Sequence, residues 1–207
     1  LTRKFKISAL AVIQMDYSLL NFKDTTFLNS LFKDAINSNN NSLIKSIIEE
    51  LLDISITRIE NLNNLDFEKE LTETFCAIDY IITKENGGKI IVELAYSKTF
   101  DDQYLLEKNQ ELYNLNSPNS YPTYQIIFLD QKKDNQFVNL NHNLRLKKQI
   151  EIDLPYIDSI LQEKRINDLS PVESFAYLLE KGLTDDMVKK QTIKAIAGNL
   201  IDYLPYK

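Results

Sequence analysis

Apolar residues recur at helical spacing through the first quarter of the chain. Residues 8–20 and 24–37 are predicted to form two helices, and Asp24 is a suitable N-cap for the second. A third helix is predicted to begin after a cap at Ser42 and to run through Leu52, because its isoleucines and leucines fall on one face. This part of the chain therefore predicts a helical layer.

Alternation typical of strands follows in the middle of the chain. Residues 54–59 weakly predict one strand, and Phe75–Thr83 and Lys89–Tyr96 predict two more. The segment Lys84–Gly88 separates the last two, and its Asn-Gly-Gly sequence is a hairpin signal. We therefore expect these two strands to pair directly.

The remaining pattern predicts that helices and strands are interspersed. Thr99–Leu115 is predicted to form a helix and Gln125–Leu129 a short buried strand. A strand–helix–strand unit after a hairpin predicts an α/β fold with a mixed sheet. Further strands are predicted at Gln136–Leu140 and Gln149–Leu154, and helices at Ile157–Lys164, Val172–Lys181 (with Gly182 as C-cap) and Thr184–Ile201.

Composition narrows the classes of protein that fit. The 207 residues include a single cysteine, Cys76, which excludes an internal disulfide framework and a cysteine-based zinc site. No apolar run reaches the roughly 20 residues of a membrane helix, so we expect a cytoplasmic chain with no membrane partner. The net charge of −6 argues against a tight nonspecific DNA binder, because phosphate contacts need clustered Lys and Arg.

Two carboxylates in the predicted hairpin are the strongest candidates for chemistry. Side chains alternate across a strand, so a loop of three or five residues would place Asp79 and Glu93 on one sheet face, about 5 Å apart at the backbone. Two facing carboxylates repel unless a cation lies between them, and oxygen ligands suit Mg²⁺ or Mn²⁺. Such an ion can activate water for phosphodiester hydrolysis. Alternatively, both acids are partly exposed residues on a solvated hairpin face.

The segment from Asp79 to Glu93, Asp-Tyr-Ile-Ile-Thr-Lys-Glu-Asn-Gly-Gly-Lys-Ile-Ile-Val-Glu, resembles the core of the PD-(D/E)XK nucleases. It is most similar to the recombination-promoting nuclease and transposase branch, in which an Asp strand, a Gly turn and a Glu strand follow one another. The flanking helices and the strand Tyr124–Leu129 also look like their counterparts. The resemblance spans roughly residues 7–180.

This resemblance implies a restriction-endonuclease-like mixed β-sheet flanked by helices. It implies a nuclease-like domain over residues 1–155, and we expect residues 156–207 to form a helical extension packed on it. The implied activity is that of a Mg²⁺-dependent (or Mn²⁺-dependent) DNA endonuclease of the mobile-element type. Asp79 and Glu93 would bind the metal. Gln103, one turn into the helix predicted after the Glu strand, is our own candidate for an assisting residue, chosen from its position and not from the family pattern.

Several departures from the family pattern leave a second hypothesis open. The family places Gln or Lys two residues after the Glu, where this chain has Ala95, and a methyl group cannot orient water. The Arg expected in the following helix is also missing. Gln110 is an alternative to Gln103 as the assisting group, and Glu49 or Glu50 is a candidate third acid. The alternative function is a catalytically inactive nuclease fold that binds a protein partner or regulates one.

Overall fold

Six strands form one mixed β-sheet in the computed structural model, which has the order β1-β2-β3-β4-β6-β5. Pairing is antiparallel from β1 to β3 and between β5 and β6, and parallel from β3 through β4 to β6. The strands are β1 (Ile56–Asn61), β2 (Phe75–Lys84), β3 (Lys89–Ser97), β4 (Thr123–Leu129), β5 (Val138–Asn141) and β6 (Lys148–Asp153). The structure describes residues 22–37, 43–61, 75–98, 121–131, 136–141 and 148–182.

Four α-helices accompany the sheet in the described ranges. Their buried apolar residues belong to one large cluster, together with the sheet face that carries Tyr80 and Tyr96. All four therefore contribute to the core on that face, which we call the tyrosine face. The helices are α1 (Thr25–Asn37), α2 (Leu43–Leu52), α3 (Ile157–Glu163) and α4 (Pro171–Lys181).

Helix ends follow the capping residues of the sequence. The Asp24 side chain accepts a hydrogen bond of 2.9 Å from the Phe27 backbone N–H, which caps α1 as predicted. Ser170 and Glu173 form a reciprocal capping box at the start of α4. That helix ends at Gly182, whose φ of 70° lies in the left-handed region, and this confirms the predicted C-cap.

The hairpin between β2 and β3 closes through a five-residue turn. Thr83 pairs with Lys89, and between them the Lys84 N–H donates to the Gly88 carbonyl at 2.9 Å. Gly87 has a φ of 78°, a conformation that a residue with a Cβ rarely adopts. The Asn-Gly-Gly sequence thus fixes where the hairpin bends, and the bend sets the register of both strands.

An ionic contact joins three segments that are far apart in sequence. Lys23, just before α1, binds Asp130 after β4 and also Glu180 near the end of α4, the latter at 2.5 Å. Burial alone would lower the pKa of Lys23, but hydrogen bonds and charges from the two carboxylates outweigh it and raise the pKa. We call this contact the Lys23 bridge.

The predicted α/β class with a mixed sheet and flanking helices is confirmed. The strand predicted at residues 54–59 is found at Ile56–Asn61. The ends of the other predicted strands agree with the structure to within two residues. The helices predicted at 8–20, 99–115 and 184–201 lie outside the described residues. Among the described helices, none has both the length and the apolar character that crossing a membrane requires.

Candidate functional site

A row of polar side chains crosses four neighbouring strands on the face opposite the tyrosine face. Asp79 on β2 pairs with Glu93 on β3, as the hairpin predicted. Glu93 pairs with Gln125 on β4, and Gln125 with Gln149 on β6. Paired residues in a sheet project to the same side. We call these four residues the polar row.

The polar row is buried. The exposed fraction is 6% for Asp79, 3% for Glu93 and 1% for Gln125. The alternative that both acids are solvated hairpin residues is therefore wrong, because the sheet face they occupy is covered. Buried carboxylates are costly unless a proton, a hydrogen-bond donor or a cation compensates their charge.

Gln125 supplies one compensating group. Its amide Nε2 donates a hydrogen bond of 2.6 Å to Glu93 Oε1 within the buried row. Because both side chains are buried, this hydrogen bond fixes the orientation of the Glu93 carboxyl group. The parallel register of β3 and β4 makes the contact possible, because it places the two residues side by side.

The position that the nuclease family fills with Gln or Lys lies in an apolar cluster. Ala95 is fully buried and belongs to a small second core on the same sheet face as the polar row. The other members of this second core are Phe75, Ala77, Ile127 and Leu129. Ala95 therefore contributes packing and no polar group to the neighbourhood of Glu93.

A further buried acid, Glu151, lies on β6 and projects to the same face. Glu151 is fully buried and accepts a hydrogen bond of 3.1 Å from Gln149. Its partners across the strands are Ile127 on one side and Asn139 on the other, so neither strand places an acid opposite it. Glu151 thus resembles Glu93 in burial and in its glutamine donor, but it lacks an opposing acid.

Tyr80, Tyr96 and Cys76 lie on the tyrosine face, away from the acids, as alternation predicted. The Tyr80 hydroxyl donates to the Phe32 carbonyl at 2.7 Å, and the Tyr96 hydroxyl donates to Asp130 at 3.2 Å. Burial raises the pKa of both phenols and raises the pKa of the Cys76 thiol to about 12. These three residues form part of the core.

Glu49 and Glu50, the two candidates for a third metal ligand, lie away from the polar row. Glu49 accepts a hydrogen bond of 2.7 Å from the Ile56 N–H, and Glu50 accepts one of 3.1 Å from the Val172 N–H. Both belong to α2, which packs in the core of the tyrosine face. The suggestion that either acid completes a metal shell with Asp79 is therefore wrong. Both acids bind backbone groups of adjacent segments.

The donor set of the polar row fits a hard cation only in part. Asp79 and Glu93 supply two facing carboxylates, and oxygen ligands of this kind suit Mg²⁺. Among the residues that the structure describes, no cluster of three or more His, Cys, Asp or Glu side chains is arranged to hold a metal. The fit therefore requires water or substrate at the remaining positions, which is how Mg²⁺ is commonly held.

A groove of about 410 Å³ lies at the hairpin end of the sheet rather than at the polar row. It is lined by residues 53–55 and 84–86. Lys84 is five residues along β2 from Asp79, which corresponds to roughly 17 Å at the rise of a strand. The groove and the carboxylate pair are therefore separate features.

Gln125, which donates a hydrogen bond to Glu93, was not among the candidate residues indicated by the sequence pattern. The available signal was a single polar residue within an apolar strand, Tyr124–Leu129, and it gained meaning only from the parallel pairing. Gln103 and Gln110, the proposed assisting residues, lie outside the described part of the chain, as does the sole histidine, His142.

Comparisons with models of known protein families, with curated proteins and with solved structures find no match for this chain. The resemblance to the PD-(D/E)XK nucleases therefore remains an expectation drawn from the segment between Asp79 and Glu93.

Proposed function

We propose that this chain is a metal-dependent phosphodiesterase with the PD-(D/E)XK fold, acting as a DNA endonuclease of the mobile-element type. The observation that carries the proposal is the direct pairing of Asp79 with Glu93 across the β2–β3 hairpin. Both carboxylates lie buried on one sheet face, where they would share a cation through their oxygen atoms.

The sheet order is compatible with this proposal. An antiparallel hairpin carries the two acids, and the next strand, β4, runs parallel to the second strand of the hairpin. A mixed sheet with helices is the architecture that the nuclease resemblance implies. The proposed nuclease-like domain covers residues 1–155, and the remainder forms the helical extension.

Three residues of the chain would have separate roles in the reaction. Asp79 and Glu93 would hold Mg²⁺ or Mn²⁺, and Glu93 would also orient the attacking water. When bound, the ion would supply activation of that water and stabilisation of charge on the phosphoryl group. Gln103 is the proposed assisting residue in place of a lysine.

A second candidate function is a catalytically inactive nuclease fold that binds or regulates a protein partner. Two observations favour it: Ala95 packs among apolar residues, and the described groove lies away from the acids. The low exposure of Asp79 and Glu93 also limits contact with a large substrate. The two candidates differ in whether the acid pair binds a metal and supports turnover.

Nicking of supercoiled plasmid in Mg²⁺ or Mn²⁺ tests the proposal. We expect the wild-type protein to convert supercoiled to open-circular DNA, and we expect Glu93→Gln to abolish the conversion. Glu151→Gln is the matched control, because it neutralises an equally buried glutamate that also accepts from a glutamine. The control should retain nicking.

Three outcomes separate the candidates. Nicking that requires Glu93 but not Glu151 supports the endonuclease. Nicking that survives Glu93→Gln indicates a contaminating nuclease and removes the support. Absence of nicking by folded wild-type protein over a range of Mg²⁺ and Mn²⁺ concentrations overturns the catalytic proposal and leaves the binding module.

A further inference from the structure

We infer that Gln125 is a positioning residue of the metal site, replacing from the neighbouring strand the polar group that is missing at Ala95. It would hold one oxygen of the Glu93 carboxylate so that the other oxygen is directed toward Asp79 and the cation. This inference rests on the proposed function, because it concerns the same pair of acids.

The contact has the properties that positioning requires. The amide of Gln125 donates directly to Glu93 Oε1 at 2.6 Å, and both side chains are almost fully buried. A buried side chain has few alternative rotamers, and the hydrogen bond adds directionality. Groups that bond to metal ligands in this way fix ligand orientation and commonly change metal affinity.

Strand geometry makes β4 a suitable source for this group. Neighbouring strands lie about 4.8 Å apart, whereas a residue two positions along the same strand is about 6.8 Å away. Gln125, paired with Glu93, therefore starts closer to the carboxylate than a side chain at position 95 would. The small residue at position 95 packs in the second core, while the amide comes from the next strand.

Gln149 provides a comparison within the same row. It pairs with Gln125, is also buried, and donates through its amide to a glutamate. Its acceptor is Glu151, which is not opposed by an acid. The two glutamines thus share chemistry and environment but differ in whether their acceptor belongs to the Asp79–Glu93 pair.

Calorimetric titration of the full chain with Mn²⁺ tests the inference without relying on turnover. We expect Gln125→Met, which keeps the volume and removes the donor, to weaken Mn²⁺ binding by about 10-fold. Gln125→Asn keeps an amide that is one methylene too short, and we expect a similar loss. The control Gln149→Met should bind within about 2-fold of wild type. Circular dichroism confirms that each variant is folded.

The outcomes distinguish failure of the inference from failure of the proposed function. If wild type does not bind Mn²⁺, or if Glu93→Gln binds as tightly as wild type, the metal site itself is wrong. If binding needs Glu93 but both Gln125 variants match wild type, only the positioning role is overturned. An equal loss of Mn²⁺ affinity in Gln149→Met also overturns the positioning role, because general damage to the polar row would then explain the weaker binding.

Discussion

Phe175 is the residue at which the attachment of α4 to the sheet can be measured. It is fully buried in α4, and its ring meets that of Phe128 on β4 edge-to-face, with centroids 5.0 Å apart. Replacement by alanine removes the ring from a closed core and also removes an aromatic pair. We therefore expect Phe175→Ala to lower the free energy of unfolding substantially.

The magnitude follows from burial and ring geometry. Truncating a buried Phe to Ala costs about 3–5 kcal/mol, and an edge-to-face pair adds about 0.5–1.5 kcal/mol beyond burial. The two contributions overlap, so we expect a loss of about 4 kcal/mol. For a domain of this size, that corresponds to a fall in Tm of roughly 8–16 °C.

Urea unfolding followed by circular dichroism is the appropriate assay, because an unchanged slope shows that the midpoint reports stability. Lys181→Ala is the control in the same helix. Its ion pair with Asp158, at 2.7 Å, is largely exposed, so we expect a change of about 0–1 kcal/mol. A loss below about 1 kcal/mol in Phe175→Ala would refute the docking of α4 on the sheet. A separate transition for α4 would contradict the prediction that residues 156–207 pack on the same domain.

Two further predictions concern the tyrosine face. Tyr80→Phe removes a buried hydrogen bond to the Phe32 carbonyl and should lower the free energy of unfolding, measured in urea, by about 1–2 kcal/mol. Tyr96→Phe should lower it less, because the partner of Tyr96, Asp130, is partly exposed. Equal losses in the two variants would contradict this prediction. Burial raises the Cys76 pKa from 9.0 to about 12, so the folded protein retains a proton that the unfolded chain loses, and stability should fall as pH rises from 9 towards 12. Between pH 8 and 10, the free energy of unfolding, measured in urea, should fall by about 1 kcal/mol more for wild type than for Cys76→Ala. The same fall in both proteins would argue against a buried thiol.

The hairpin and its acid pair could be predicted from sequence because local features determine them. The glycine turn between Lys84 and Lys89 fixes the register, and strand alternation then places Asp79 opposite Glu93. Capping residues likewise located the start of α1 and the end of α4. Each of these predictions depends on contacts between residues close in sequence.

The remainder of the site depends on contacts that local patterns do not specify. Gln125 reaches Glu93 only because β4 pairs with β3 in parallel, across a connection of more than twenty residues. The position of β6 between β4 and β5 is also a matter of sheet order. The alternation of Gln149, Glu151 and Asp153 with isoleucines predicts a polar strand face, but it does not indicate which strand lies beside it.

The Lys23 bridge bears on how the chain folds during synthesis. Its lysine is 107 residues from Asp130 and 157 residues from Glu180, so each ion pair must wait until the ribosome has synthesised and released that distant acid. Contacts between such distant residues carry a large loop-closure entropy and are typical of slowly folding proteins. The Lys23 ammonium group, just ahead of α1, therefore completes its pair of acidic contacts only when α4 reaches the sheet.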